Sequence, residues 1–70
     1  MAEAATYKIV ELAGTSTESI ADAMRSGVRR ASKTLRGVDW VETTAIRGHV
    51  EDGEIAHFQA EMKVGFRLED

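Results

Sequence analysis

The dipeptide Asp52-Gly53 stands between two long runs of residues suited to extended backbone. Asp-Gly fits a two-residue turn in which both residues take positive φ, and that turn matches the twist of two antiparallel strands. After it, from Glu54 to Leu68, the even positions Ala56, Phe58, Ala60, Met62, Val64, Phe66 and Leu68 are all apolar. His57, Gln59, Glu61, Lys63 and Arg67 alternate with them, the period-two pattern of a half-buried strand. Trp40 to Glu51 reads as its partner. With Glu51 opposite Glu54, paired residue numbers sum to 105. Val41, Thr43 and Ala45 then face Val64, Met62 and Ala60 on the dry side. Trp40, Glu42, Thr44 and Ile46 face Gly65, Lys63, Glu61 and Gln59 on the other. Glu42 and Lys63 make a sensible opposite-charge pair.

The N-terminal half supplies what covers the dry side. Thr6 to Ala13 is short and rich in β-branched residues, a strand that Gly14 should end. Thr15 or Ser16 can cap a helix from about residue 17, Thr15 with Glu18 at capping-box spacing. Ile20, Met24, Gly27, Val28, Ala31 and Leu35 form one apolar stripe, and Gly37 serves as the stop. Acids come early and bases late, in line with the helix dipole. Gly27 in mid-helix costs ~1 kcal/mol against Ala, which close packing of helix on sheet would explain. The fold class is α+β: β-α-β-β, a three-stranded antiparallel sheet packed on one helix, in a single domain over residues 1–70 with residues 1–5 a flexible leading segment.

A chain of 70 residues with no Cys lacks both the core area and the disulfides that steady small folds. Two His offer too few soft ligands for a structural zinc site, and the register sends His49 and His57 to opposite faces. Self-association is therefore expected. The net charge of −3 argues against a nucleic-acid partner. No run approaches ~18 apolar residues, so no membrane span is expected. Met1-Ala2-Glu3-Ala4-Ala5 lacks the features of a signal peptide, and a cytoplasmic location is expected.

The far face of the sheet is unusual. It carries Trp40 and Ile46, and a single helix cannot cover both faces. An aromatic on a bare sheet face points to a partner or a ligand; the alternative is that Trp40 packs locally over an edge. Gln59 lies six residues along the strand from the partner of Trp40, roughly 20 Å at ~3.3 Å per residue. One small ligand touching both side chains would take them from different subunits.

Glu11-Leu12-Ala13-Gly14-Thr15-Ser16, Leu35-Arg36-Gly37-Val38-Asp39-Trp40, Ile46-Arg47-Gly48-His49 and Val64-Gly65-Phe66-Arg67-Leu68-Glu69 together resemble the dodecins, in order and spacing, over about residues 6 to 69. Dodecins are small flavin-binding proteins, and the likeness is to their bacterial branch. The resemblance implies a hollow homododecamer of β-α-β-β subunits. It implies flavins, FMN or riboflavin or FAD, held as stacked pairs between Trp side chains of two subunits. Trp40 matches that tryptophan, and Gln59 the glutamine that hydrogen-bonds the isoalloxazine edge. Arg47 and Arg67 match the arginines that contact the FMN phosphate. Some bacterial members also bind coenzyme A.

The chemistry suits these assignments. An electron-rich indole stacks on an electron-poor isoalloxazine, a Gln amide offers both donor and acceptor, and Arg forks onto phosphate. Each residue also has a plainer reading. Gln59 can be a solvated strand residue, Arg47 and Arg67 interface or surface ion-pair partners. The Arg25, Arg29, Arg30, Lys33 face can be a solvated helix surface. The expected function is flavin storage and buffering with quenching of flavin photochemistry by Trp40, without catalysis. The alternatives are a small flavin- or coenzyme A-dependent enzyme or phosphoryl-binding catalyst, and a nucleic-acid module with Trp40 stacking on a base.

Overall fold

A computed structural model describes residues 4–69. Four elements follow one another: β1 (Tyr7–Ser16), α1 (Ile20–Ala31), β2 (Val38–Glu51) and β3 (Glu54–Arg67). The expected β-α-β-β order is the one observed. The sheet is antiparallel in the order β1-β3-β2, so β3 lies in the middle. Its dry face explains that place: Ala60, Met62 and Val64 are fully buried, because strands flank them on both edges and the helix lies across one face. Asp52 and Gly53 both take positive φ, 52° and 78°, as a tight hairpin turn requires.

Several boundaries differ from the sequence reading. β1 runs on through Gly14 to Ser16 rather than ending at Gly14. Gly14 is there for proximity: a Cβ on it would run into the Ala23 carbonyl of the helix. Ser19, not Thr15 or Ser16, is the N-cap, its Oγ accepting from the Asp22 N–H at 3.0 Å. Ser16 organises the connection instead. Its hydroxyl accepts from the Glu18 N–H at 2.9 Å and donates to Asp22 Oδ2 at 2.7 Å. The helix ends at Ala31, short of Leu35. Gly27 meets the expectation of close packing, since a Cβ on it would press on Leu12 and Met62 of the sheet.

The hairpin register follows the arithmetic for only part of its length. Trp40, Val41, Glu42 and Thr43 pair with Gly65, Val64, Lys63 and Met62 as expected. The register then slips by one between Thr43 and Ala45, so that Ala45, Ile46 and Arg47 oppose Glu61, Ala60 and Gln59, and slips back between His49 and Val50. A further shift falls between Val38 and Trp40, so Thr44 sits at the middle of three irregularities, its hydroxyl donating to the Glu61 carbonyl at 3.3 Å. A one-residue slip moves every following side chain to the other face. Ile46 thus leaves the Trp40 face and joins the helix face with Ala60. His49 and His57 become direct partners rather than facing apart.

The core is thin. Its large fully buried side chains are Met62 and Val64, joined by Ala23, Ala31 and Ala60 and by the half-buried Leu12, Ile20, Met24 and Val41. Ile9, Ile46, Val50, Ile55 and Leu68 remain largely exposed.

Candidate functional site

The face of the sheet away from the helix carries two groups of side chains at opposite ends. At one end, Trp40 and Ile9 both pair with Gly65 in the middle strand. The indole of Trp40 lies across Gly65, and any Cβ there would overlap it. The ring also meets Tyr7, with centroids 6.3 Å apart and planes at 49°. Trp40 does pack locally, as the plainer reading held, yet 36% of it stays exposed on a face that no element covers. Tyr7 pairs with Arg67, which places the guanidinium on the same face and at the same end.

Tyr7 was not singled out from sequence. The pairing of β1 with β3 brings it in, and a short strand does not announce that register. Its hydroxyl donates to Asp39 Oδ2 at 2.5 Å. That bond, with a smaller contribution from burial and from the Asp39 charge, raises the phenol above its ordinary value, while Arg67 acts in the opposite direction.

At the other end, Arg47 and Gln59 are cross-strand partners, which places the two expected residues side by side. Arg47 Nη1 donates to Gln59 Oε1 at 2.7 Å. Its second amino group pairs with the Glu61 carboxylate. Arg47, Gln59 and Glu61 edge a groove of about 410 Å³ that reaches across to Glu11 and Ala13 of β1. Beyond them the imidazoles of His49 and His57 stack with centroids 4.9 Å apart. The facing register follows from the Thr44 irregularity, and no sequence signal marked it. Among the described residues no group of three or more potential ligands converges on a metal position.

The four expected residues therefore fall into two pairs: Trp40 with Arg67, and Arg47 with Gln59. Gly65 and Gln59 are six residues apart on β3, roughly 20 Å at ~3.3 Å per residue. Within one chain the pairs cannot meet on one small ligand.

The residues fit a flat aromatic anion in parts. Glycine beneath the indole leaves room for the ring, and the exposed part of Trp40 is available for stacking. Among the described residues the Gln59 amide NH2 has no acceptor, while Arg47 holds its oxygen. Among the described residues Arg67 makes no ion pair, whereas Arg47 is engaged by Glu61.

A three-stranded antiparallel sheet with a single helix on one face and an aromatic, uncovered second face defines a small β-α-β-β protein. The Dodecin family model matches residues 6–69. The curated dodecin of Thermus thermophilus is 45% identical over 64 residues, covering 91% of this chain and 93% of its own. Among solved structures, dodecin from Streptomyces coelicolor is 50% identical with a TM-score of 0.90 over 94% of both chains. Dodecin from Streptomyces davaonensis is 47% identical with a TM-score of 0.93, over 97% of this chain and 100% of that one. The chain belongs to the dodecin family. The Thermus thermophilus protein has also been solved as three single-substitution variants, one at a tryptophan and two at arginines.

Proposed function

We propose that this chain binds flavins as a storage and buffering protein, holding FMN, riboflavin or FAD as stacked pairs between Trp40 side chains of neighbouring subunits in a homododecamer. The observation that carries the reading is the indole of Trp40 lying across Gly65, partly exposed on an uncovered sheet face. The family supports a flavin as the flat partner. The tryptophan and two arginines replaced in the Thermus thermophilus variants are spaced seven and then twenty residues apart, the spacing of Trp40, Arg47 and Arg67 here.

Each side chain has a role in this reading. Trp40 stacks on the ring system and supplies an electron that quenches its excited state. Gln59 of another subunit hydrogen-bonds the polar edge of the ring, and Arg47 fixes the Gln59 carboxamide orientation. Arg67 faces the phosphate of FMN, since of the two matched arginines it is the one that makes no ion pair among the described residues. Arg47 reaches a phosphate only by releasing Glu61. A ring closed in by indole and a second ring leaves no space for a substrate, which favours storage over turnover. The bound group supplies light absorption and redox capacity; the chain limits both by enclosing it.

The test is titration of flavin fluorescence. The unmodified chain should quench added riboflavin and FMN. Trp40→Ala should weaken binding by roughly tenfold or more, as loss of a main aromatic anchor does, and the residual bound flavin should stay bright. Arg67→Ala should weaken FMN more than riboflavin. Equal affinity and equal darkness in Trp40→Ala would overturn the reading.

A further inference from the structure

The register slip at Thr44 brings together a second pair of side chains besides Arg47 and Gln59. β1 stops at Ser16, opposite Phe58, and past Gly48 and Phe58 the hairpin runs on as a ribbon of two strands. The first pair on that ribbon is His49 opposite His57. Two of the strand irregularities bracket the segment that ends in this pair, one between Thr43 and Ala45 and one between His49 and Val50. Under the unbroken register the two imidazoles face apart. Irregularities of this kind re-aim side chains and gather beside functional sites, and here they set two imidazoles on one face. The rings stack with centroids 4.9 Å apart and planes at 17°. The His49 side chain is 59% exposed, so the pair is open to an incoming ion. Together with Arg47, Gly48 and Gln59 the pair lines a cavity of about 120 Å³.

The chemistry of two facing imidazoles is that of a chelate. Neutral imidazole is a ligand for Zn2+, Cu2+ and Ni2+. An ion held at ~2.0–2.1 Å by each ring needs the two nitrogens about 3.3 Å apart. Rings already this near reach that spacing by turning their side chains, with the strands unmoved. The surrounding charge favours a cation. The Glu51 carboxylate stands 4.0 Å from His49 Nε2, and Asp52 and Glu54 follow at the turn. Arg47, two positions along β2, is engaged by Gln59 and Glu61 and so adds little opposing charge. Two protein ligands leave the other coordination positions to water. That makes an open, exchangeable site, distinct from the closed structural zinc site for which the chain has too few ligands.

We propose that His49 and His57 chelate one divalent transition ion per chain, of the class that imidazole binds, with water completing its coordination. Cu2+ binds more tightly than Ni2+ or Zn2+, following the general order of divalent ions at nitrogen ligands. Glu51 acts through its charge and accepts a hydrogen bond from a coordinated water. The site needs no flavin.

The test uses the untagged chain and the metal salts alone, with calorimetry for affinity and electron paramagnetic resonance for the Cu2+ ligands. The parent chain should take up one Cu2+ per chain, with nitrogen hyperfine structure from two imidazoles. His49→Gln and His57→Gln should each weaken binding roughly a hundredfold or more, because the second ligand then no longer acts within the molecule. Each should also lose one nitrogen from the spectrum. Glu51→Gln should weaken binding less than either and keep both nitrogens. Zn2+ should raise the melting temperature of the parent and leave that of both histidine variants unmoved. Affinity unchanged in both histidine variants, a parent spectrum with a single nitrogen, or no uptake by the parent would overturn the site. The parent spectrum identifies the ligand pair by itself, so the test holds even if a variant folds poorly. Flavin quenching by the metal-free chain is a separate readout, and its loss would overturn the flavin reading alone.

Discussion

Tyr7 is the one tyrosine of the chain, and its place shows how closely the residues around Trp40 depend on one another. Its phenol is held above the ordinary 10.0 by the hydrogen bond to Asp39. The folded chain keeps that proton to higher pH than the unfolded chain does. Its contribution to stability is therefore complete below pH 10.0 and is lost as pH rises through the folded value. Asp39→Asn removes the carboxylate. A tyrosinate absorbance titration should then show a lower midpoint, and thermal unfolding in alkali should fall less steeply than in the parent. An unmoved midpoint would mean that the Asp39 contact does not hold in solution. Trp40 was legible as a functional candidate because an indole on a bare face is rare. The hairpin arithmetic set Gly65 opposite it, but not the indole lying across that glycine. What made it a floor was the placement of the indole over it.

At the scale of elements, two glycines set how the helix lies on the sheet, and they differ in kind. Opposite Gly27 stand the tips of Leu12 and Met62, which can shift. Opposite Gly14 stands the backbone carbonyl of Ala23, which cannot move without moving the helix. Gly14→Ala should therefore destabilise the fold by about 1–3 kcal/mol, the range for overpacking a filled core. Chemical denaturation of the two chains side by side measures this, and equal midpoints would mean the helix rides higher than the packing indicates. The four elements, their order and the turn were readable because hydrophobic period and turn chemistry are local properties. The cap was misplaced because several Ser and Thr precede the helix, and only the chain path through Ser16 decides among them. The register slip at Thr44 was unreadable for a related reason. An extra residue in one strand changes no composition and breaks the alternation only mildly, yet it brings Arg47 beside Gln59 and His49 beside His57.

For the whole molecule, the decisive quantity is how little a single copy buries. Two large side chains are fully enclosed, while Ile9, Ile46, Val50, Ile55 and Leu68 face outward. Stability that comes from partner subunits depends on protomer concentration. Diluting the protein should thus lower its melting temperature, its sedimenting mass and its flavin quenching over one concentration range. Quenching that outlasts the loss of mass would place the complete flavin site within one chain. From the residues in order came the fold class, the family resemblance and the expectation of self-association, since periodicity, turn chemistry and the absence of Cys act within short stretches or on the chain as a whole. The facing of β2 past Thr43, the pairing of Arg47 with Gln59 and the exposed ribbon were decided only by the folded chain. Pairing across strands depends on where irregularities fall, and an irregularity is chosen by the energy of the whole sheet rather than by the residues that carry it.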